Sequence, residues 1–133
     1  FRSADGTVET PQEGSSTRVI DESVADQVKN AMESVAEGYS KVVNVKGYRI
    51  AAKTGTAEVA GSDGRLTSIV ADFAGMIPAD NPRFAITVIM KDPQGTYGGM
   101  TAGPVFAKIG EFLMQKYNVP TSSPRNDAIA VDW

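Results

Sequence analysis

The spacing of apolar residues near the start of the chain predicts a helix. Four apolar residues recur at helical intervals: Val24, Val28, Met32 and Val35. They predict a helix over about Glu22–Ala36, with Asp21 as its N-cap and Gly38 as its end. This helix should bury one stripe of side chains.

Three later segments predict strands because they are rich in branched and aromatic residues. The first is YRIAAKTGTAEVA after Gly47, the second is Leu66–Ile77, and the third is Phe84–Met90. The turn sequences GSDG and PADNP separate them. Because the connections are short, the strands should form an antiparallel meander.

A second helix is predicted from Met100 or Thr101, with Pro104 in its first turn. Its apolar face should belong to the core and contains Val105, Phe106, Ile109, Phe112, Leu113 and Tyr117. The predicted fold class is α+β, with helices flanking an antiparallel sheet. The domain is predicted to span residues 1–117, followed by a loosely ordered tail at 118–133.

Composition limits the classes of function. The 133 residues carry a net charge of −3 without a basic run, so the chain is not expected to bind nucleic acid. It contains no Cys and no His, which excludes thiol nucleophiles and Ser-His triads within it. The absence of these residues also argues against a zinc or copper site, and no metal is expected.

The tetrapeptide Lys53-Thr54-Gly55-Thr56 is unusual for a strand that only packs. Thr54 and Thr56 should project to the same side, and Lys53 adds a positive charge. Gly55 lets another backbone approach closely. Such a strand can pair with an extended peptide and hold its carboxylate, and a backbone N–H after the glycine can face an oxyanion.

Longer stretches support a family resemblance. AAKTGTAE, FAGMIPADNPRFAITVIMKDP and YGGMTAGPVFAKIGEFL resemble the C-terminal part of the transpeptidase domain of class B penicillin-binding proteins, especially the septum-building type. The resemblance covers roughly residues 1–117 and implies the β-lactamase/transpeptidase-like fold. Asp72 departs from the family pattern, in which a small or hydroxylated residue is expected.

The resemblance implies roles for the tetrapeptide. Lys53 would help to hold the substrate carboxylate and tune proton transfer around the nucleophile. Thr54 and Thr56 would bind the carboxylate of a D-alanyl-D-alanine stem peptide or a β-lactam. The N–H of Thr56 would form one arm of an oxyanion hole, and Gly55 would permit close approach.

The resemblance also implies a biological setting. The full protein would be a serine D,D-transpeptidase of cell-wall synthesis and cell division that needs no cofactor. It would be anchored at the extracytoplasmic face of the bacterial membrane through a segment outside this chain. Other cell-wall synthesis proteins would be its partners.

The family's nucleophile motif Ser-x-x-Lys and its Ser-x-Asn motif do not occur in the sequence. Both are expected upstream of Phe1. The 133-residue chain alone is therefore expected to form no acyl-enzyme with penicillin. A sheet that lacks its upstream strands should expose an edge, so the isolated chain is also expected to self-associate.

Several alternatives stay open at this point. The protein could be a β-lactamase or a β-lactam sensor, or a non-catalytic cell-wall assembly module. GGMTAG partly resembles a phosphate-binding loop, but Pro104 stands where Lys is required, and a loop that caps the last helix is preferred. The family resemblance implies that this loop lies near the site, so that Tyr97–Gly99 could shape it. The carboxylates are expected to be solvated at turns and without chemistry: Glu58, Asp63, Asp72 and Asp92.

Overall fold

The computed structural model describes residues 14, 17–94 and 97–129. Its elements are, in order, α1 (Glu22–Gly38), β1 (Ala51–Ala60), β2 (Leu66–Ile77), β3 (Phe84–Lys91) and α2 (Gly98–Lys116). The strands form one antiparallel sheet in the order β1-β2-β3. The predicted α+β class is thus confirmed.

The two faces of the sheet differ in what covers them. The helix face carries Ala52, Phe73 and Val88, which are buried, and also Thr54 and Thr56. The open face carries Lys53, Gly55, Asp72 and Ile89. Ile89 is 69% exposed, because no described element packs on this face at that point. The outer edges of β1 and β3 have no partner strand among the described residues.

The core lies between the helix face and α2. The Phe73 and Phe106 rings are fully buried, with their centroids 5.1 Å apart in an edge arrangement. Small residues bring α2 close to the sheet: a Cβ at Gly103 would lie 3.5 Å from Phe73 Cδ2, and one at Gly110 would lie 3.3 Å from Ile77 Cδ1. The tight approach fixes α2, and with it the position of its first turn, on β1 and β2.

Helix α1 departs from the predicted burial. Val24 and Val28 are 45% and 51% exposed, whereas Glu33 and Ser34 are buried. The predicted apolar stripe is therefore wrong in its first half. The helix is attached through its second half, where Glu33 pairs with Arg49 and Arg125, and the described elements leave Val24 and Val28 largely uncovered. Asp21 occupies the N-cap position, but its side chain forms no capping hydrogen bond.

Those arginines connect α1 to the C-terminal residues. Arg49 Nε donates to Glu33 Oε1 at 2.5 Å, and Arg125 Nη1 lies 2.9 Å from Glu37 Oε2. The hydrogen bond with Glu33 raises the pKa of the Arg49 guanidinium, against the opposing effect of burial. Asp127 joins the same cluster, with its Oδ1 3.5 Å from Arg125 Nε.

Residues 118–129 form no helix or strand, yet they are tied to the body of the protein. Val119 is buried, and its carbonyl accepts a hydrogen bond from the Tyr48 hydroxyl at 2.6 Å. The Arg49 amide donates to Ser122 Oγ at 3.0 Å. These contacts attach residues 118–129 to Tyr48 and Arg49. The domain boundary at residue 117 and the loose order of the tail stay predictions.

The same contacts explain why β1 begins at Ala51 rather than at Tyr48 as predicted. The backbone groups of Arg49 are used by Ser122 and by the amide of Ala79, which donates to the Arg49 carbonyl at 2.8 Å.

In the described part of the chain no helix has the length and apolar character required to cross a membrane.

Acid is expected to loosen the tail through Asp80. Burial alone would raise the pKa of Asp80, but hydrogen bonds from the Ser122 hydroxyl and the Ser123 amide lower it below its ordinary value. A lowered folded-state pKa adds stability above about pH 4, and this stability is lost as the pH falls through the folded-state value. Hydrogen exchange at residues 118–129, corrected for intrinsic rates, should therefore rise below about pH 4. Asp80→Asn should raise exchange at neutral pH and remove most of this dependence; an unchanged pH profile in the variant would contradict the assignment.

Candidate anion-binding site on strand β1

The tetrapeptide lies in the middle of β1, at an edge of the sheet. The ammonium of Lys53 turns back onto the strand. Its Nζ donates to the Thr54 carbonyl at 2.9 Å and to Thr54 Oγ1 at 3.2 Å. The ammonium is thereby held beside the first threonine hydroxyl, while Lys53 as a whole remains exposed.

The backbone direction of β1 follows from this contact. Backbone groups of successive strand residues point to opposite edges, and the Thr54 carbonyl meets Lys53 rather than β2. We infer that the N–H of Thr56, two residues later, also points to the unpaired edge. A peptide that approaches this edge would meet that N–H.

The first turn of α2 reaches the second threonine. The Gly98 amide donates to Thr56 Oγ1 at 3.3 Å. A hydroxyl has one proton to donate, and neither Thr54 nor Thr56 donates it to a described residue. Both hydroxyls accept from inside the protein, so both protons are available to an acceptor outside it.

Gly98 can occupy this place because it has no side chain. A Cβ there would overlap the backbone carbonyl oxygens of Gly55 and Asp72, and one at Gly99 would overlap the ring of Tyr39. Helix α2 therefore begins at Gly98, which corrects the predicted start at Met100 or Thr101. Pro104 consequently lies beyond the first turn.

Gly55 contacts the Asp72 side chain on the opposite side of the sheet. It pairs directly with Asp72, and a Cβ at position 55 would overlap the Asp72 carboxylate. The Gly55–Asp72 pair is thus enclosed by the Gly98 backbone on the helix face and by a carboxylate on the open face. The sequence offered close approach of a ligand as the reason for Gly55, and the structure adds this second reason.

The arrangement can bind an anion. An ammonium, two hydroxyl protons and the positive end of the α2 dipole lie along a short stretch of strand edge. The structure brings together all four residues of the predicted tetrapeptide, whose roles remain predictions. The resemblance pointed to Tyr97–Gly99 as residues that shape the site, and Gly98 contacts Thr56. Sequence reasoning did not find Tyr39, whose ring packs against Gly99.

Other sequence interpretations change with the structure. GGMTAG belongs to α2 itself, so its interpretation as a loop is wrong. Asp72 lies within β2 and is half-buried, and therefore it is not a solvated turn residue. Asp92 accepts a hydrogen bond from the Ile69 amide at 3.2 Å, a local structural contact. Among the described residues, no group of three or more acidic side chains is arranged to hold a metal ion.

Known proteins share most of this sequence. The penicillin binding protein transpeptidase domain family matches residues 3–111. Peptidoglycan D,D-transpeptidase FtsI of Escherichia coli K12 is 44% identical over 77% of the chain, which covers 18% of that protein. Penicillin-binding protein PbpB of Mycolicibacterium smegmatis is 35% identical over 89% of the chain, or 20% of its own length. The chain thus spans about a fifth of these relatives.

Solved structures agree in fold. A peptidoglycan synthetase from Bifidobacterium adolescentis has a TM-score of 0.81 and 66% identity, with 99% of this chain and 24% of that chain covered. Penicillin binding protein 3 from Mycobacterium tuberculosis, complexed with ampicillin, has a TM-score of 0.73 and 31% identity, with 93% and 30% covered. The predicted class B resemblance and the β-lactamase/transpeptidase-like fold are confirmed. The chain belongs to the penicillin-binding protein transpeptidase domain family.

Proposed function

We propose that the complete protein is a serine peptidoglycan D,D-transpeptidase, and that this chain supplies the strand that binds the terminal carboxylate of its substrate. The observation that carries the proposal is the pair of threonine hydroxyls on β1. Each accepts a hydrogen bond from within the site, Thr54 from Lys53 and Thr56 from Gly98, so each can donate to a carboxylate.

The proposed roles follow from the strand edge. The positive charge of Lys53 helps to hold the carboxylate. It also tunes proton transfer around the nucleophile. Gly55 permits the close approach of the ligand to the strand. The edge-facing N–H of Thr56 would donate to the oxyanion that develops on the scissile carbonyl.

The reaction requires a serine from outside this chain. That serine attacks the carbonyl of the penultimate D-alanine, the peptide bond breaks, and the terminal D-alanine leaves with its amine. An amine of a second stem peptide then attacks the ester, forms the cross-link and releases the serine. A β-lactam would enter through the same carboxylate contacts and remain as a stable acyl-enzyme.

The proposed substrate also sets the proposed location. Peptidoglycan lies outside the cytoplasmic membrane, so we place the site at its extracytoplasmic face, with other cell-wall synthesis proteins as partners. The family match and the named relatives support this setting. The complete protein is expected to release the penicilloyl group slowly. Rapid release would instead indicate a β-lactamase.

Loss of the Thr56 hydroxyl is expected to slow acylation of the complete protein. Hydrogen bonds to charged groups contribute about 1.5–3 kcal/mol, so Thr56→Val should lower the second-order rate constant with benzylpenicillin about 10- to 100-fold. The methyl ester of the same penicillin lacks the anionic carboxylate. The variant should therefore change its rate much less than it changes the rate of the acid.

Thr87→Val provides a matched control. Thr87 is an exposed strand residue on β3, and its side chain has no hydrogen bond to a described residue. This variant should acylate at the rate of the unaltered protein. Equal effects of Thr56→Val on the acid and on the ester would show that the hydroxyl does not bind the carboxylate.

A further inference from the structure

The Asp72 carboxylate has no partner among the described residues. Glu33 and Asp72 are the two described acidic residues that are not fully exposed. Glu33 is paired with Arg49 and Arg125, whereas the Asp72 side chain has no hydrogen bond or ion pair with any described residue. A half-buried charge usually has a compensating group. In the part of the chain that the structure describes, Asp72 has none.

Its position places this charge on the open face, one strand from the edge that carries Lys53. Asp72 pairs with Gly55, so its side chain leaves the sheet on the open face, and its carboxylate fills the space that a Cβ of Gly55 would take. Lys53 is a diagonal neighbour on the same face, at a spacing of about 7–8 Å for such pairs. Lys53 turns to Thr54 instead of forming an ion pair with Asp72.

The other neighbours of Asp72 on the open face do not pair with it. Val70 and Ala74 flank it on β2, and Ile89 lies opposite it on β3. Thr87 and Lys91 are its diagonal neighbours on β3, and neither forms a hydrogen bond or ion pair with it. The negative charge can therefore act on a ligand group that extends from the edge of β1 over the open face beside Lys53.

We propose that Asp72 is a specificity-determining residue that favours ligands with a positive group next to the carboxylate bound by Thr54 and Thr56. The inference rests on the function proposed above. A ligand that presents only an anion meets, on the strand next to β1, a negative charge that forms no direct ion pair with a described residue. A ligand that adds a cation near its carboxylate pairs that cation with Asp72 and leaves Lys53 to the anion.

The test uses the complete protein and two cephalosporins with the same acyl side chain. One carries a neutral substituent at C3, the carbon next to the one that bears the carboxylate, and the other carries a quaternary ammonium group there. The measured quantity is the ratio of their second-order acylation rate constants. A ratio from one protein sample does not depend on the fraction of folded protein.

Asp72→Asn is expected to lower the cationic-to-neutral ratio about five-fold, the order expected for unit charges about 7 Å apart at a partly exposed site. Asp72→Glu keeps the charge and should retain most of the preference. Raised salt should reduce the ratio in the unaltered protein more than in Asp72→Asn.

The two proposals fail in different ways. An unchanged ratio in Asp72→Asn, together with slower acylation by both cephalosporins in Thr56→Val, would overturn the role of Asp72 alone. Unchanged rates in Thr56→Val would instead overturn the carboxylate site. A ratio that falls equally in Asp72→Asn and Asp72→Glu would assign the effect to shape and would also overturn the proposal.

Discussion

Alanine at position 98 is expected to destabilise the protein by about 3 kcal/mol, although alanine in a helix ordinarily stabilises relative to glycine by about 0.5–1 kcal/mol. The reversal of sign follows from what the new methyl group would meet. It would overlap the carbonyl oxygens of Gly55 and Asp72, which are backbone atoms inside the β1–β2 pair and cannot rotate away.

The same substitution should affect chemistry more than stability. To accommodate the methyl group, the first turn of α2 must move away from β1, and the Gly98 amide would then lose Thr56 Oγ1. Without this contact the Thr56 hydroxyl is no longer oriented toward the anion. The positive end of the α2 dipole would also lie farther from the anion. We expect acylation by benzylpenicillin to fall by at least about 100-fold, since both effects weaken binding of the carboxylate in the transition state.

Gly14→Ala is the control for this prediction, since a Cβ there would meet no described residue within 4 Å. The measurements are acylation kinetics of the complete protein and hydrogen exchange in β1, β2 and the first turn of α2. Faster exchange confined to these elements in Gly98→Ala, with no change in Gly14→Ala, is the expected pattern. A Gly98→Ala protein as stable and as reactive as the unaltered one would show that α2 does not rest on β1 as described.

Local sequence signals were sufficient for the sheet. Strand β2 has the predicted bounds, Leu66–Ile77, because alternating strand residues are followed directly by Pro78. The GSDG turn and the short connection before Phe84 fixed the antiparallel order. Strand period and turn chemistry are properties of neighbouring residues, so one sequence contains them.

The buried faces of the two helices could not be predicted from local sequence signals. The periodicity of α1 indicates an apolar stripe. In the structure, however, Arg49 and Arg125 contact Glu33 in its second half. Ile109 and Phe112, predicted as core residues of α2, are 37% and 58% exposed. A hydrophobic pattern indicates which face can be buried, and only the partner elements decide which face is buried.

The candidate site shows the same division. The tetrapeptide is contiguous, so its cation, hydroxyls and glycine were visible in the sequence as a possible anion-binding strand. The Gly98 amide and the Asp72 carboxylate come from other elements and meet the tetrapeptide only in the fold. Glycine is a poor helix former, and the predicted start of α2 therefore fell after the residue that makes the contact.

Glu33→Gln is expected to cause the largest loss of stability, about 3–5 kcal/mol, because it leaves two arginines without their shared buried counter-charge. The Glu33 side chain is 4% exposed and that of Arg125 is 6% exposed. Glu33 Oε1 and Oε2 accept from Arg49 Nε and Nη2 at 2.5 and 2.8 Å. Glutamine preserves the volume and one acceptor oxygen but removes the charge.

The loss should be localised, and this separates it from a general defect of folding. Arg125 connects the tail to α1, so hydrogen exchange should increase first at residues 118–129 and in the second half of α1, while β2 and β3 stay protected. Glu22→Gln is the matched control, because the Glu22–Arg18 pair is 4.0 Å long and exposed. Its expected cost is about 0.5 kcal/mol or less. If both variants changed exchange equally little, solvent would already compensate the charge of Glu33, and the ion pairs would not be what holds the tail on α1.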